Sequence, residues 1–99
     1  MEVIFTDQFL GRVEECTDYI ALDYVPTAIK WARGVFEQCQ KLSNQPEIGR
    51  IVPEFDRPEI REIIHGNYRL VYELKPNHID MLTIWHTRQI LPDDPHKVG

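Results

Sequence analysis

Serine occurs once in this chain, at Ser43, and cysteine twice, at Cys16 and Cys39. A lone serine at the end of a helical pattern argues against a serine hydrolase, which needs its nucleophile beside a base. The cysteines form no CxxC, and His65, His78, His86 and His96 share no HxxxH spacing, so no metal site or cofactor is expected. A Gly-rich phosphate loop and a nucleophile elbow are both missing. The opening MEVIFTDQFLGRVEE has no basic stretch before an apolar run and does not read as a signal peptide. No run approaches the roughly eighteen apolar residues of a membrane span. Positive charge is in deficit: 11 Lys and Arg against 16 Asp and Glu give a net charge of −5. That balance argues against a surface built to neutralise many phosphates. What is present is ordinary for a soluble globular protein, with 42% hydrophobic and 27% charged residues among 99. We expect one cytoplasmic domain over residues 1–99.

The chain is organised around EIREIIHGNYRLVYELKPNHIDMLTIWHTR. Residues 59–65, 68–74 and 79–88 are rich in β-branched and aromatic side chains and predict three strands in series. Gly66 and Asn67 tolerate the positive φ of a tight hairpin, and Lys75-Pro76-Asn77-His78 forms a longer turn. A two-residue first turn pairs His65 with Tyr68, Ile63 with Leu70 and Arg61 with Tyr72. The second turn pairs Leu74 with Ile79, Tyr72 with Met81, and Tyr68 with Trp85. One face then holds Ile63, Tyr68, Leu70, Tyr72, Leu74, Ile79, Met81 and Trp85 as a core. The other holds Ile60, Ile64, Val71, Leu82 and Ile84 among Glu62, Arg69, Glu73, His86 and Arg88, a half-charged face that is either covered only in part or used.

Before these strands come a short extended segment at residues 2–5 and two amphipathic helices. Thr6 or Asp7 offers an N-cap, and Phe9, Leu10, Val13, Cys16, Ile20 and Ala21 recur at helical spacing over residues 8–23. Pro26 suits the first turn of a second helix, whose stripe is Ala28, Trp31, Ala32, Val35, Phe36, Cys39 and Leu42. So short a break predicts an antiparallel helical hairpin. In it the two cysteines lie about seven residues, or roughly 10 Å, apart along the axis, and stay free buried thiols. Residues 43–58 make a long loop that Ile48, Ile51, Val52 and Phe55 can tack down. The tail from Ile90 is short, proline-broken and loose. The order β-α-α-β-β-β predicts an α+β domain with the helical hairpin on one face of an antiparallel sheet.

One constellation carries chemistry. Arg69 lies diagonal to His86 in this register, with Arg88 and Glu62 nearby. A histidine between two arginines is suited to holding a phosphodiester and moving a proton. The competing reading, favoured on spacing alone, is a solvated strand face in which Glu62 and Glu73 pair with Arg69. Arg61 falls on the core face, where it either snorkels past Tyr72 at the margin or pairs with Glu54. Trp31 and Trp85 read as core anchors.

The run Pro46-Glu47-Ile48-Gly49-Arg50, then Ile60-Arg61-Glu62, Tyr68-Arg69-Leu70-Val71-Tyr72 and His86-Thr87-Arg88, resembles the RelE/ParE superfamily of bacterial toxins over nearly the whole chain. The resemblance implies the toxin half of a type II toxin–antitoxin pair, neutralised by a small antitoxin whose flexible segment wraps it. RelE-like members cut messenger RNA on the ribosome. Arg69 and Arg88 match two of their arginines, but Ile60 and Glu62 stand where they carry lysines, and the tyrosine expected beyond Arg88 is absent. Glu62 would repel an RNA phosphate. ParE-like members inhibit DNA gyrase, and the motif set and acidic charge suit that branch better. The favoured reading is therefore a ParE-like gyrase inhibitor, with Arg61, Glu62, Tyr68, Arg69, His86 and Arg88 as candidate binding residues. Under the alternative, a ribosome-dependent endoribonuclease, Arg69, His86 and Arg88 become catalytic. A third reading is a degenerate toxin that keeps only antitoxin binding.

Overall fold

The computed structural model describes residues 1–91 together with Asp94 and His96. Its first turn of helix is set by Thr6, which is extended (φ −69°, ψ 157°) and whose Oγ1 accepts the Phe9 N–H at 3.1 Å. The same hydroxyl donates to the Met81 carbonyl at 2.6 Å, so the cap also ties the helix to the sheet. The elements in chain order are β1 (Glu2–Phe5), α1 (Asp7–Ala21), α2 (Val25–Asn44), β2 (Arg50–Ile51), β3 (Ile60–His65), β4 (Tyr68–Leu74) and β5 (His78–His86). Proline in the first turn of α2 starts the second helix, as its place in the sequence predicts. Phe9, Val13 and Cys16 of α1, with Trp31, Val35, Cys39 and Leu42 of α2, pack on Leu70, Tyr72, Ile79, Met81 and Ile84. Both thiols are free and buried.

The sheet order is β1-β5-β4-β3-β2, with β1 parallel to β5 and every other pair antiparallel. The expected hairpin register of β3 and β4 holds along its whole length, and Gly66 has the positive φ (61°) that the turn requires. The β4–β5 register holds only at its start. Leu74 faces Ile79 and Tyr72 faces Met81, but Val71 then faces Thr83, leaving Leu82 as the extra residue of a β-bulge. Beyond it Tyr68 pairs with His86 rather than Trp85, and the alternation of β5 is inverted. Ile84 thus joins the helix-side core, whereas Trp85 goes to the opposite face.

That opposite face is covered over most of its area: Ile64 stays 47% exposed, but Glu62, Arg69 and Glu73 are buried rather than solvated. The loop after α2 returns over it and places Val52 and Phe55 on Ile60, Val71, Leu82 and Trp85, with Leu91 beside them. Ile48 and Ile51, at 51% and 37% exposed, take no part in the tacking. The loop closes through the Val52 carbonyl, which accepts from Phe55 and Asp56 N–H groups, and Asp56 supplies a left-handed residue (φ 49°). Much of the tail expected to be loose, residues 92, 93, 95 and 97–99, lies outside the described residues. His96, which is described, meets Glu73 at 2.9 Å.

Gly34 sits where α2 crosses β3. A Cβ there would lie 2.5 Å from the His65 ring, whose Nε2 meets the Trp31 carbonyl at 3.1 Å. For Gly34→Ala we expect near-cancellation. Helix propensity gains about 1 kcal/mol, and displacing the imidazole loses about 0.5–1.5 kcal/mol. A urea titration should place the variant within about 1 kcal/mol of wild type. A loss well beyond that would mean the ring has nowhere to go.

Candidate functional site

The motif residues meet around the loop. Tyr72 Oη donates to the Pro46 carbonyl at 2.8 Å and accepts the Gly49 N–H at 3.0 Å. Arg61, at the sheet margin, donates to the carbonyls of Gly49 (3.0 Å), Pro58 (3.1 Å) and Glu47 (3.4 Å). Its alternative partner Glu54 is engaged elsewhere. Both Glu54 oxygens receive the Arg69 fork at 2.7 Å, while Arg69 Nε donates to Glu62 Oε1. Glu62 Oε2 accepts from Arg50 Nε at 2.6 Å. The chain Arg50–Glu62–Arg69–Glu54 therefore runs from solvent through the protein and out to solvent again. The Arg69 hydrogen bond holds the Glu54 carboxyl below its ordinary range, and the two carboxylates hold Arg69 more firmly protonated. Of the two acids expected to pair with Arg69, only Glu62 does. Glu73 meets Lys75 at 3.3 Å and His96 instead.

The triad of Arg69, His86 and Arg88 does not assemble: the bulge turns His86 to the other face, and β5 ends at His86, short of the Arg88 expected to close it. Arg69 lies on the loop-covered face with both carboxylates satisfied. The His86 ring lies on the helix side, edge-on to Tyr68 with ring centres 5.2 Å apart. Arg88 is exposed past the end of β5, and its backbone N–H donates to His86 Nδ1 at 3.1 Å. That bond assigns the proton of the neutral imidazole to Nε2. Of the six candidate residues, Arg61, Glu62 and Arg69 buttress the loop from within, and Tyr68, His86 and Arg88 gather at the other face and its edge.

There a cleft of about 520 Å³ is lined by Arg12, Glu15, Cys16, Tyr19, Tyr68 and His86. Past Tyr19, Tyr68 and His86 it continues into a second hollow of about 630 Å³ that reaches Leu22, Trp31 and Asn67. Arg12 is fixed by a bond from Nε to the Ile84 carbonyl (2.8 Å) and by Glu15 (2.8 Å). Sequence reasoning missed Arg12 and Tyr19, because nothing in their spacing on α1 separates them from other residues flanking an apolar stripe. Cys16 is buried, and burial raises its thiol pKa, as it pushes that of Cys39 up to about 12, so both thiols are held protonated. Among the described residues no group of three or more His, Cys, Asp or Glu is placed to hold a metal ion, and no helix is long and apolar enough to cross a membrane.

A helical hairpin laid across one face of a five-stranded, mostly antiparallel sheet is the α+β architecture of the RelE/ParE superfamily of toxins. The chain belongs to its ParE branch: the family model described as "ParE toxin of type II toxin-antitoxin system, parDE" matches residues 3–91. A solved structure titled "Chromosomal ParDE TA system from P. aeruginosa" superposes with a TM-score of 0.73, over 87% of this chain and 95% of that one. At 19% identity this is a likeness of fold. No curated protein matches the chain.

Proposed function

We propose that this type II toxin arrests growth by binding DNA gyrase in the cytoplasm, as one domain over residues 1–99, and that a cognate antitoxin neutralises it. The observation that carries the choice of target is the commitment of Arg69. A guanidinium forked onto Glu54 and bonded to Glu62 commits three of its five N–H donors to carboxylates, is 5% exposed, and has the buried negative charge of Glu62 beside it, an arrangement that disfavours a phosphodiester. With His86 on the other face, a nuclease lacks its base next to its phosphate clamp. Family membership and the net charge of −5 also favour a protein target over an RNA groove. On this reading Tyr68, His86 and Arg88 contribute to the surface that meets a partner.

The test is supercoiling of relaxed plasmid by purified gyrase with increasing amounts of the purified chain, paired with inducible expression in bacteria. The expected result is lost supercoiling or accumulated cleaved DNA, with arrest of growth and intact message. Untouched supercoiling at high excess, with no cleaved DNA, would sink the gyrase reading. Message cut inside translated codons would restore the ribosome-dependent nuclease. Unimpaired growth with folded protein would leave a degenerate toxin that retains antitoxin binding alone.

A further inference from the structure

The helix-side cleft has no part in the network around Arg69, yet it pairs a fixed cation with an aromatic wall. We propose that it docks a segment of a partner protein that presents one carboxylate and, within about five residues, a bulky apolar side chain. The cation is Arg12, whose guanidinium is anchored to the Ile84 carbonyl and is only 17% exposed. Its charge reaches both Tyr68 and Cys16. The acid that neutralises it, Glu15, is 68% exposed and returns to water at little cost, so an incoming carboxylate can take its place. His86, with its proton on Nε2, adds a neutral donor to the lining. The apolar half is Trp31 against Tyr68, with ring centres at 4.9 Å, flanked by Tyr19 and Leu22 at 70% and 85% exposed. Side chains so exposed on a folded helix end are the material of a contact surface.

Arg12 and Leu22 bound the site along α1, ten residues apart and so about 15 Å along the helix axis. An extended chain covers that length in about four to five residues. Charge selects a protein over a nucleic acid: one cation faces one anion, while Asp18, Asp23 and a net charge of −5 repel a polyphosphate. The inference does not depend on what the toxin poisons.

The test is an NMR titration of the ¹⁵N-labelled full chain with the blocked peptide acetyl-Asp-Ala-Ala-Ala-Leu-amide, its Asn counterpart, and inorganic phosphate. Trp31 and Trp85 lie on opposite faces of the sheet, so their indole N–H signals report the cleft and the loop-covered face separately. We expect saturable shifts at Trp31 and along α1, none at Trp85, and binding of the Asn peptide weaker by about fivefold. Arg12→Gln should bring the Asp peptide down to the Asn one. Tyr19→Ala, a change at an exposed position, should weaken both peptides alike. Equal binding of the two peptides to wild type, equal shifts from phosphate, or shifts shared with Trp85 would each overturn the proposal.

Discussion

Arg69→Ala should lose about 3–5 kcal/mol of stability, the range for removing one partner of a buried ion pair. Arg69 and Glu62 are 5% and 1% exposed. Without the guanidinium, Glu62 keeps only Arg50, whose side chain is 59% exposed and too well solvated to offset a buried carboxylate. The loop loses one of its ties in the same stroke, the ion pair that joins Glu54 to the sheet through Arg69. Urea unfolding at neutral pH reads the effect directly. Two companions separate charge from packing. Glu54→Gln, at the exposed end of the chain, should cost no more than about 1 kcal/mol. Arg69→Met combined with Glu62→Leu should recover most of the loss, since an apolar pair of similar volume often replaces a buried ion pair without penalty. A single variant within about 1 kcal/mol of wild type would mean that water enters and solvates Glu62. Acid acts on the same clasp. The folded Glu54 pKa is held below the ordinary 4.5, so its contribution is complete above that value and fades as pH falls through the lower folded one.

Gly49→Ala should cost roughly 2–4 kcal/mol, combining overpacking with the loss of a hydrogen bond. A Cβ at this position would lie 2.6 Å from both the Glu62 carbonyl oxygen and Tyr72 Oη. The first is backbone in the middle of a paired strand and cannot retreat. The second is pinned between the Pro46 carbonyl and the Gly49 N–H, so moving it forfeits both bonds. Gly11→Ala is the internal comparison. Nothing lies within 4 Å of its added carbon, and in mid-helix it should stabilise by up to about 1 kcal/mol. Thermal or urea unfolding of the pair should show opposite signs, and a neutral Gly49→Ala would refute the close approach.

Where the sequence spoke clearly it did so through periodicity. The stripes of Phe9, Val13 and Cys16 and of Ala28, Trp31, Val35, Cys39 and Leu42 have one reading, and Gly66-Asn67 between two apolar runs has one turn. The bulge gave no such signal. From Met81 to Trp85 the strand reads Met-Leu-Thr-Ile-Trp, buried throughout, and a run without polar alternation fits either register. Arg69 was expected to pair with Glu62, as it does, but on a solvated face, and its burial went unread for a related reason. Charged residues on a strand imply solvent until something covers them, and the cover comes from Val52 and Phe55 some fifteen residues upstream. The spacing of Pro46, Gly49, Arg50, Arg61 and Tyr72 indicated the family correctly. Of these, Arg61 alone stood among the candidate binding residues, and it spends its hydrogen bonds on the carbonyls of Glu47, Gly49 and Pro58.

Leu82 gives β5 something like a frameshift. Every residue after it takes the face that its neighbour would hold in an unbulged strand. Substitutions in the distal half leave that assignment alone, but loss of one residue at this point would rewrite it. Trp85 would turn beneath the helices, and His86 would come round to the side of Arg69. One codon gained or lost here would move a histidine between the helix-side cleft and an arginine's neighbourhood.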